Sequence, residues 1–395
     1  MSKREVEAKN MQTNRVNVFD QTKRKVKCIA NEHDYLGDGT VFREDKLEVG
    51  KQYTFIKGEV RSYGSMVHLE ELPDKKYGFM SYLFEEMQSY DETILKENYR
   101  KWLKEKLDES YYRELGRKQN VAVFKDTERL CKSEKQLVES IRKSIAGQKL
   151  ILESENIECP KLDLYTDPAA VVISKKRTFE AASQYKENKV AVHNFASASN
   201  PGGGVVKGSS AQEECLCRCS GLYFCLNTPE MWAGFYTPHR NAHDPIHNDD
   251  IIYTPEIMVF KTDENIPKLM DATDWYKVNV ITCAAPNLRI RPGNSYNTGD
   301  GNKAAKITDK DLLALHEKRL RRIMDVAVSE GNDTIILGAF GCGAFENNPE
   351  VVAMASRNII KEYLYAFKTI EYAIYCSPRD ERNFTVFERV LRKVV

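Results

Sequence analysis

The stretch Asn200-Pro201-Gly202-Gly203-Gly204, followed after seven residues by Gln212-Glu213-Glu214, carries the strongest signal in the chain. Three consecutive glycines lack a Cβ and readily adopt positive φ, so their N–H groups can converge on one diphosphate. The two carboxylates do not bind that same anion, because like charges repel. They suit acid/base or hydroxyl-binding chemistry on a sugar beside it. The combination predicts a site for a phosphorylated glycoside.

Short apolar runs alternate with helical patterns from about residue 117 onward. Strands are predicted at Val171–Ile173, Val190–Val192, Ile257–Phe260, Val278–Thr282, Thr334–Leu337 and Ile370–Tyr375, and helices at Glu134–Ile151, Lys310–Glu330 and Pro349–Tyr363. This alternation predicts a three-layer α/β/α fold, in which ligands bind at the carboxyl ends of strands. The triple glycine and a second glycine-containing stretch, Leu337–Phe345, each follow a predicted strand.

The first part of the chain has a different composition. Residues 1–27 contain eight Lys and Arg against three Asp and Glu, which favours a basic, disordered tail over a polyanion-binding arm. Residues 28–90 alternate apolar and polar positions between Gly and Pro, which predicts a small β-rich accessory domain. Residues 91–116 are expected to form a helical linker, and residues 117–395 the catalytic domain. The sequence does not reveal a partner for the accessory domain.

Composition narrows the classes of protein. Hydrophobic residues make up 42% of the chain and the net charge is +1, which is compatible with a globular core and gives no general preference for nucleic acid. No apolar run approaches the roughly 20 residues that a membrane span needs. The charged N-terminus lacks a signal-peptide core, so we expect a cytoplasmic protein without membrane contact.

Ten cysteines raise the question of a metal site or disulfides, above all in the run Cys215-Leu216-Cys217-Arg218-Cys219. This spacing is tighter than zinc sites use, and thiols in the cytosol stay reduced. Small buried hydrophobic residues are the favoured interpretation, and neither a metal nor another cofactor is expected.

Two nucleotide-binding motifs fail at single positions. Gly203 and Gly208 have P-loop spacing, but Ser209 stands where the P-loop lysine must follow. The pair Gly341 and Gly343 lacks the third glycine of the dinucleotide fingerprint. Hydrolysis of a nucleoside triphosphate and hydride transfer are therefore both disfavoured.

The segment Asn194–Gly204, together with Gln212-Glu213-Glu214, resembles the signature of the microbial-type poly(ADP-ribose) glycohydrolases, a branch of the macrodomain superfamily. The stretch Leu337-Gly338-Ala339-Phe340-Gly341-Cys342-Gly343-Ala344-Phe345 is similar to that family's second substrate loop. The similarity runs from about Arg117 to the C-terminus. It implies a macrodomain-like fold and a glycoside hydrolase that acts on poly(ADP-ribose) and releases ADP-ribose.

Adjacent residues on a helix point about 100° apart, so Glu213 and Glu214 are expected to divide binding and catalysis between them. By the resemblance, Glu214 is the general acid and base, and Glu213, the second catalytic carboxylate, holds ribose hydroxyls. The resemblance places the following residues at the substrate: Asn200, Gly202, Gly203, Gly204, Gln212, Gly341, Cys342, Gly343, Ala344 and Phe345.

Two other functions remain open on the sequence. One is release of mono-ADP-ribose from an ADP-ribosylated protein or nucleic-acid base. The other is a macrodomain that binds ADP-ribose without cleaving it. Glu214 argues against the second, because recognition alone needs no acid at the scissile oxygen.

Overall fold

The computed structural model describes residues 16–33, 42–61, 64–73, 78–87, 114–158, 161–294, 298–376 and 380–392. The chain divides into two compact units, Met1–Glu114 and Leu115–Val395. Residues 91–113 of the predicted linker and residues 1–15 of the predicted tail lie outside the described residues. No helix among the described residues has the length and apolarity that crossing a membrane requires.

The first unit contains an antiparallel sheet of five strands in the order β6-β5-β4-β1-β7 and a separate two-stranded pair, β2-β3. Its strands are β1 Arg24–Cys28, β2 Glu32–His33, β3 Phe42–Arg43, β4 Gln52–Arg61, β5 Gly64–Leu69, β6 Phe79–Met80 and β7 Phe84–Glu86. A 3₁₀ turn spans Ser81–Leu83. The buried residues Phe55, Phe79 and Phe84 lie in the core. This unit is the predicted small β-rich domain.

The predicted tail extends too far along the chain. Val16, Val18 and Phe19 are buried in the core of the first unit, and β1 begins at Arg24. Arg24 stacks on the ring of Phe55 at 3.9 Å. Burial of these apolar side chains in the core of the first unit outweighs the basic charge of the surrounding sequence.

The second unit contains a seven-stranded sheet in the order β8-β11-β12-β10-β13-β14-β9. Its strands are β8 Lys149–Ile151, β9 Ala170–Ser174, β10 Val190–Ala196, β11 Ile251–Val259, β12 Tyr276–Ala284, β13 Thr334–Leu337 and β14 Thr369–Ala373. The five strands from β12 to β9 are parallel, whereas β11 and β8 join one edge in antiparallel pairs. The six predicted strands are confirmed.

Helices cover both faces of this sheet. They are α1, whose described part runs over 114–133, α2 Lys135–Ala146, α3 Thr178–Ala182, α4 Gln212–Cys219, α5 Leu222–Leu226, α6 Pro229–Met231, α7 Thr237–Ala242, α8 Asp309–Ser329, α9 Pro349–Glu362 and α10 Arg382–Leu391. A π-helical turn, Trp232–Tyr236, joins α6 to α7, and 3₁₀ turns span Ser183–Tyr185, Val205–Lys207 and Ala272–Asp274.

Two apolar cores lie on opposite faces of the sheet. Along β10, Ala191 packs with α8, α9 and α10, whereas Val190 and Val192 pack with α3, α4 and α5. Successive strand residues point to opposite faces, so one short apolar run serves both cores. The arrangement is the predicted three-layer α/β/α fold.

One predicted helix is too long. The helical spacing continues through Leu150, but α2 ends at Ala146, with Gly147 as its C-cap. Lys149–Ile151 pair with Tyr253–Ile251 of β11 instead. The backbone of these residues therefore completes an edge of the sheet.

Candidate active site

Helix α4 is fixed to the sheet by its first residue. Gln212 Oε1 accepts a hydrogen bond from the N–H of Phe195 at 2.9 Å, and Gln212 Nε2 donates to the carbonyl of His193 at 2.8 Å. Strand β13 pairs with β10 only over Val190–Val192. The Gln212 side-chain amide therefore bonds to the part of β10 that follows its pairing with β13. Gln212, which the sequence predicts to bind substrate, uses its amide to hold α4 on β10.

Glu213 lies against the carboxyl end of β10 and is 3% exposed. Its Oε2 accepts a hydrogen bond from the N–H of Ser197 at 2.8 Å, and its Oε1 accepts one from Asn194 Nδ2 at 3.3 Å. Both carboxylate oxygens are therefore oriented by β10 and the residue that follows it.

Glu214 lies against the triple-glycine loop. Its Oε1 accepts a hydrogen bond from the N–H of Gly204 at 2.9 Å, and the residue is 7% exposed. The N–H of Gly203 donates to the carbonyl of Asn200 at 2.9 Å. Two of the N–H groups expected to bind a diphosphate thus stabilise the loop and its carboxylate.

Burial raises the pKa of both carboxyl groups. Burial raises the pKa of Glu213 to about 8, opposed by the hydrogen bond from Ser197 and reinforced by the charge of Glu214. Burial also raises the pKa of Glu214, and the hydrogen bond from Gly204 opposes it. A buried carboxyl beside another favours its neutral form, so the pair holds a proton at neutral pH.

The loop requires glycine for a reason that the sequence does not show. Gly202 and Gly203 have φ of 64° and 56°. A Cβ on Gly203 would lie 2.7 Å from Glu214 Oε1, and one on Gly202 would lie 2.8 Å from the ring of Tyr223. The missing side chains make room for the protein's own carboxyl group and for packing, as well as for a ligand.

The second glycine loop follows β13, which pairs with β10 in parallel. Both glycine loops therefore lie at the carboxyl ends of neighbouring strands. Gly341 has φ of 75°, and a Cβ there would lie 2.6 Å from Asn347 Nδ2. That nitrogen donates to the carbonyl of Pro286 at 2.7 Å and to the carbonyl of Gly341 at 3.1 Å. Asn347 therefore closes the loop onto the segment after β12.

The tip of this loop is exposed and its backbone N–H groups have no partner among the described residues. Gly343 and Ala344 are exposed, and no atom lies within 4 Å of a Cβ placed on Gly343. The N–H groups of Gly343, Ala344 and Phe345 donate no hydrogen bond within the described part of the chain. Phe345 is half-buried, with its ring centroid 6.1 Å from that of His247.

Comparison with known proteins matches this arrangement to one family. The family model "Microbial-type PARG, catalytic domain" matches residues 117–262. Poly(ADP-ribose) glycohydrolase from Deinococcus radiodurans, solved in complex with ADP-ribose, is 30% identical over 65% of this chain and 98% of its own, with a TM-score of 0.55. The chain belongs to the microbial-type poly(ADP-ribose) glycohydrolases.

Two structures of the glycohydrolase from Thermomonospora curvata are also similar. One, bound to the inhibitor ADP-HPD, is 25% identical over 68% of this chain and 98% of its own, with a TM-score of 0.55. Another is 24% identical over 69% of this chain and 98% of its own, with a TM-score of 0.59, and supports the fold alone. No curated protein matches the chain.

The microbial-type glycohydrolase signature is thus split between two adjacent strand ends. Asn200, the triple glycine and Gln212–Glu214 follow β10, and Gly341–Phe345 follow β13. Cys342 is half-buried, and burial raises the pKa of its thiol. Its Sγ contacts the carbonyl of Phe340 within its own loop.

The cysteines outside this loop support the interpretation as small buried residues. Cys215, Cys217, Cys219 and Cys225 are buried free thiols in the glycohydrolase unit. Among the described residues, no three His, Cys, Asp or Glu side chains are placed to hold a metal ion.

Sequence reasoning missed Arg240. Its Nε donates to the carbonyl of Ser199 at 2.6 Å, and its Nη2 bonds to Asn200 Oδ1. Arg240 follows Asn200 by 40 positions and lies in α7, where no motif marks it. Only the fold brings it to the glycine loop.

Proposed function

We propose that the chain hydrolyses the ribose–ribose 1″–2′ bond of poly(ADP-ribose) with Glu214 as its general acid and base. The observation that carries this assignment is the hydrogen bond from Gly204 N–H to Glu214 Oε1, which places a buried carboxyl group in the triple-glycine loop. Burial raises the pKa of this group, which favours the protonated form that a general acid needs.

The proton balance needs one carboxyl group. Glu214 gives its proton to the departing ribose 2′-oxygen as the bond to the anomeric carbon breaks, and positive charge develops on that sugar. The resulting carboxylate takes a proton from the water that attacks the anomeric carbon. The acid is then restored, and free ADP-ribose leaves.

The second loop is suited to the substrate diphosphate. The N–H groups of Gly343, Ala344 and Phe345 are three consecutive donors without a partner among the described residues, and a run of backbone N–H groups can form an anion-binding concavity. The negative charge held there stabilises the cation that develops on the neighbouring ribose. In this proposal Phe345, half-buried at the end of this run, orients the terminal ribose by stacking.

Glu213 has a supporting role in this proposal. Both of its oxygens are oriented by Ser197 and Asn194, so the group is held in one position and does not swing toward a leaving group. A fixed carboxyl of this kind is suited to accepting hydrogen bonds from ribose hydroxyls.

The substrate class and cellular setting extend the family assignment. The Deinococcus radiodurans relative was solved with ADP-ribose, which supports ADP-ribose as this chain's product. Nine described cysteines are free thiols, which supports a reducing, cytoplasmic setting.

The test is release of free ADP-ribose from purified poly(ADP-ribose), followed chromatographically. Glu214→Gln keeps the shape of the side chain but cannot transfer a proton, so we expect kcat to fall by about three orders of magnitude or more with ADP-ribose affinity largely kept. Glu230→Gln, an exposed glutamate on α6, is the matched control and should keep full turnover.

Equal turnover by wild type and Glu214→Gln would remove Glu214 from its role. Binding of ADP-ribose without release from the polymer by the wild type would point instead to mono-ADP-ribosylated proteins or bases as substrates. Failure on those substrates too would leave a binding module.

A further inference from the structure

The guanidinium of Arg240 makes three contacts beside the triple-glycine loop. It donates to the carbonyl of Ser199 through Nε at 2.6 Å and bonds to Asn200 Oδ1 through Nη2, and its central carbon lies 4.5 Å from the ring centroid of Trp232. Two hydrogen bonds and a cation–π contact fix this long side chain in one orientation.

The π-helical turn explains how Arg240 reaches this position. Trp232 begins the turn Trp232–Tyr236, and Arg240 lies in the α-helix that follows. Eight residues of uninterrupted α-helix would rotate Arg240 about 80° away from Trp232, because each residue turns about 100°. The wider turn reduces that rotation and brings the guanidinium back over the indole. Such turns are frequent at functional sites.

The partner of Asn200 determines which way its amide points. An asparagine amide is nearly symmetric in shape, so its orientation has to be deduced from its partners. Arginine has five N–H donors and no acceptor, so the atom that faces Arg240 is the carbonyl oxygen Oδ1. The amide nitrogen, which carries two hydrogens, is therefore on the opposite side, where it donates one hydrogen bond to Ser199 Oγ at 3.4 Å.

We propose that Arg240 is a positioning residue that fixes Asn200 so that its amide meets the substrate ribose as a hydrogen-bond donor. Asn200 contacts an oxygen acceptor of the sugar in this arrangement. The inference rests on the proposed function and on the resemblance, which places Asn200 at the substrate. Arg240 itself acts through Asn200 and does not touch the substrate.

The first variant isolates the donor. Asn200→Asp keeps the shape and strengthens the bond to Arg240, but it replaces the N–H groups with an acceptor. We expect the melting temperature to be maintained and both ADP-ribose affinity and kcat/KM to fall by about tenfold or more, the effect of one lost hydrogen bond beside an unpaired acceptor. Wild-type affinity and turnover in Asn200→Asp would overturn the proposal, because the amide would then be acting as an acceptor.

A charge control accompanies this variant. Val206→Asp places the same negative charge on the same loop, at a residue that is 51% exposed. We expect ADP-ribose affinity and kcat/KM within about threefold of wild type, because an exposed charge is screened by solvent. A loss equal to that of Asn200→Asp would overturn the proposal by making charge the cause.

A double-mutant cycle separates positioning from direct contact. Arg240→Met keeps much of the side-chain volume and removes both hydrogen bonds, so we expect about a tenfold loss in kcat/KM and in ADP-ribose affinity. In the Asn200→Ala background the same substitution should cause no further loss, because the group that Arg240 positions is gone. Additive losses, or no loss in the single variant, would overturn the proposal.

A conservative variant of Arg240 and direct measurement of ADP-ribose affinity complete the test. Arg240→Lys retains the positive charge with a single ammonium group, and an intermediate loss supports positioning by two hydrogen bonds, whereas wild-type values would overturn it. Affinity for ADP-ribose is measured by calorimetry for every variant. A wild type that binds ADP-ribose without releasing it from the polymer would refute the proposed activity, while the cycle in affinity would still decide the role of Arg240.

Discussion

Glu213 and Glu214 are neighbours in the chain, but different parts of the fold hold their carboxyl groups. Glu213 is oriented by Ser197 N–H and Asn194, whereas Glu214 is oriented by Gly204 N–H. Adjacent side chains on a helix diverge by about 100°, so α4 carries one carboxyl to the strand end and the other to the loop. The split in contacts fits the proposed division between binding and proton transfer.

The pKa of Glu213 predicts a pH dependence of stability. A pKa near 8 in the folded chain, raised from 4.5, means that the folded state binds this proton more tightly than the unfolded state. The contribution is fully present below pH 4.5 and is lost as the pH rises toward 8. In Glu213→Gln, the unfolding free energy relative to wild type should therefore rise across that window, by roughly 1.4 kcal/mol per pH unit.

Chemical denaturation at a series of pH values measures this difference. Glu230→Gln, which removes an exposed carboxyl group, is the control. A stability difference between Glu213→Gln and wild type that does not change with pH would mean that the Glu213 carboxyl titrates normally in the folded state.

In the triple-glycine loop, the backbone conformation of Gly203 and the position of the proposed general acid Glu214 depend on each other. Gly203→Ala would put a Cβ 2.7 Å from Glu214 Oε1 at a φ of 56°. We expect unfolding free energy to fall by about 1–3 kcal/mol and turnover to fall with it, because Glu214 must move. Gly343→Ala is the matched change, since its Cβ would meet nothing within 4 Å.

Thermal unfolding and kcat/KM of the two variants decide the point. Gly343→Ala should unfold with the wild-type transition. Equal stability of Gly203→Ala and wild type would show that the loop can shift without strain, and that Glu214 does not need this glycine.

The strands and helices of the second unit can be predicted from the sequence where a short run of neighbouring residues determines them. The parallel strands read as short β-branched runs because they are buried on both faces. Leu150 shows the limit: its helical spacing continued the pattern, although Gly147 had already ended α2 and the backbone of β11 was available for pairing. The spacing of apolar residues near Leu150 does not show that β11 pairs with this segment.

The same limit applies to the site. Glu213 and Glu214 were identifiable because they lie next to one another in a motif. Arg240, and the hydrogen bond from Gly204 to Glu214, depend on how distant or looped segments meet in three dimensions. The sequence also could not show that Gln212 serves the sheet.

At the scale of the whole molecule, each of the two units has its own apolar core. All candidate site residues belong to Leu115–Val395, and the core of the first unit contains only residues of Met1–Glu114. A fragment of residues 115–395 should therefore fold and retain kcat/KM within about threefold of the full chain, because a domain with its own core can fold alone.

Circular dichroism and ADP-ribose release from the polymer, measured beside the full chain, test this expectation. A folded fragment without turnover would show that the first unit contributes to the reaction. A fragment that does not fold would show that the first unit is needed for stability.

The side-chain amide of Gln212 has a consequence for the sheet itself. Its carbonyl and NH₂ groups bond to the backbone of Phe195 and His193 as a peptide group of an adjoining strand would. The side chain thus replaces one peptide group of a neighbouring strand. A parallel sheet can then open between two central strands while these two part-buried backbone groups keep hydrogen-bond partners. Glutamate has the reach but no donor, and asparagine has the donor but one methylene less, so glutamine is the one common residue with both.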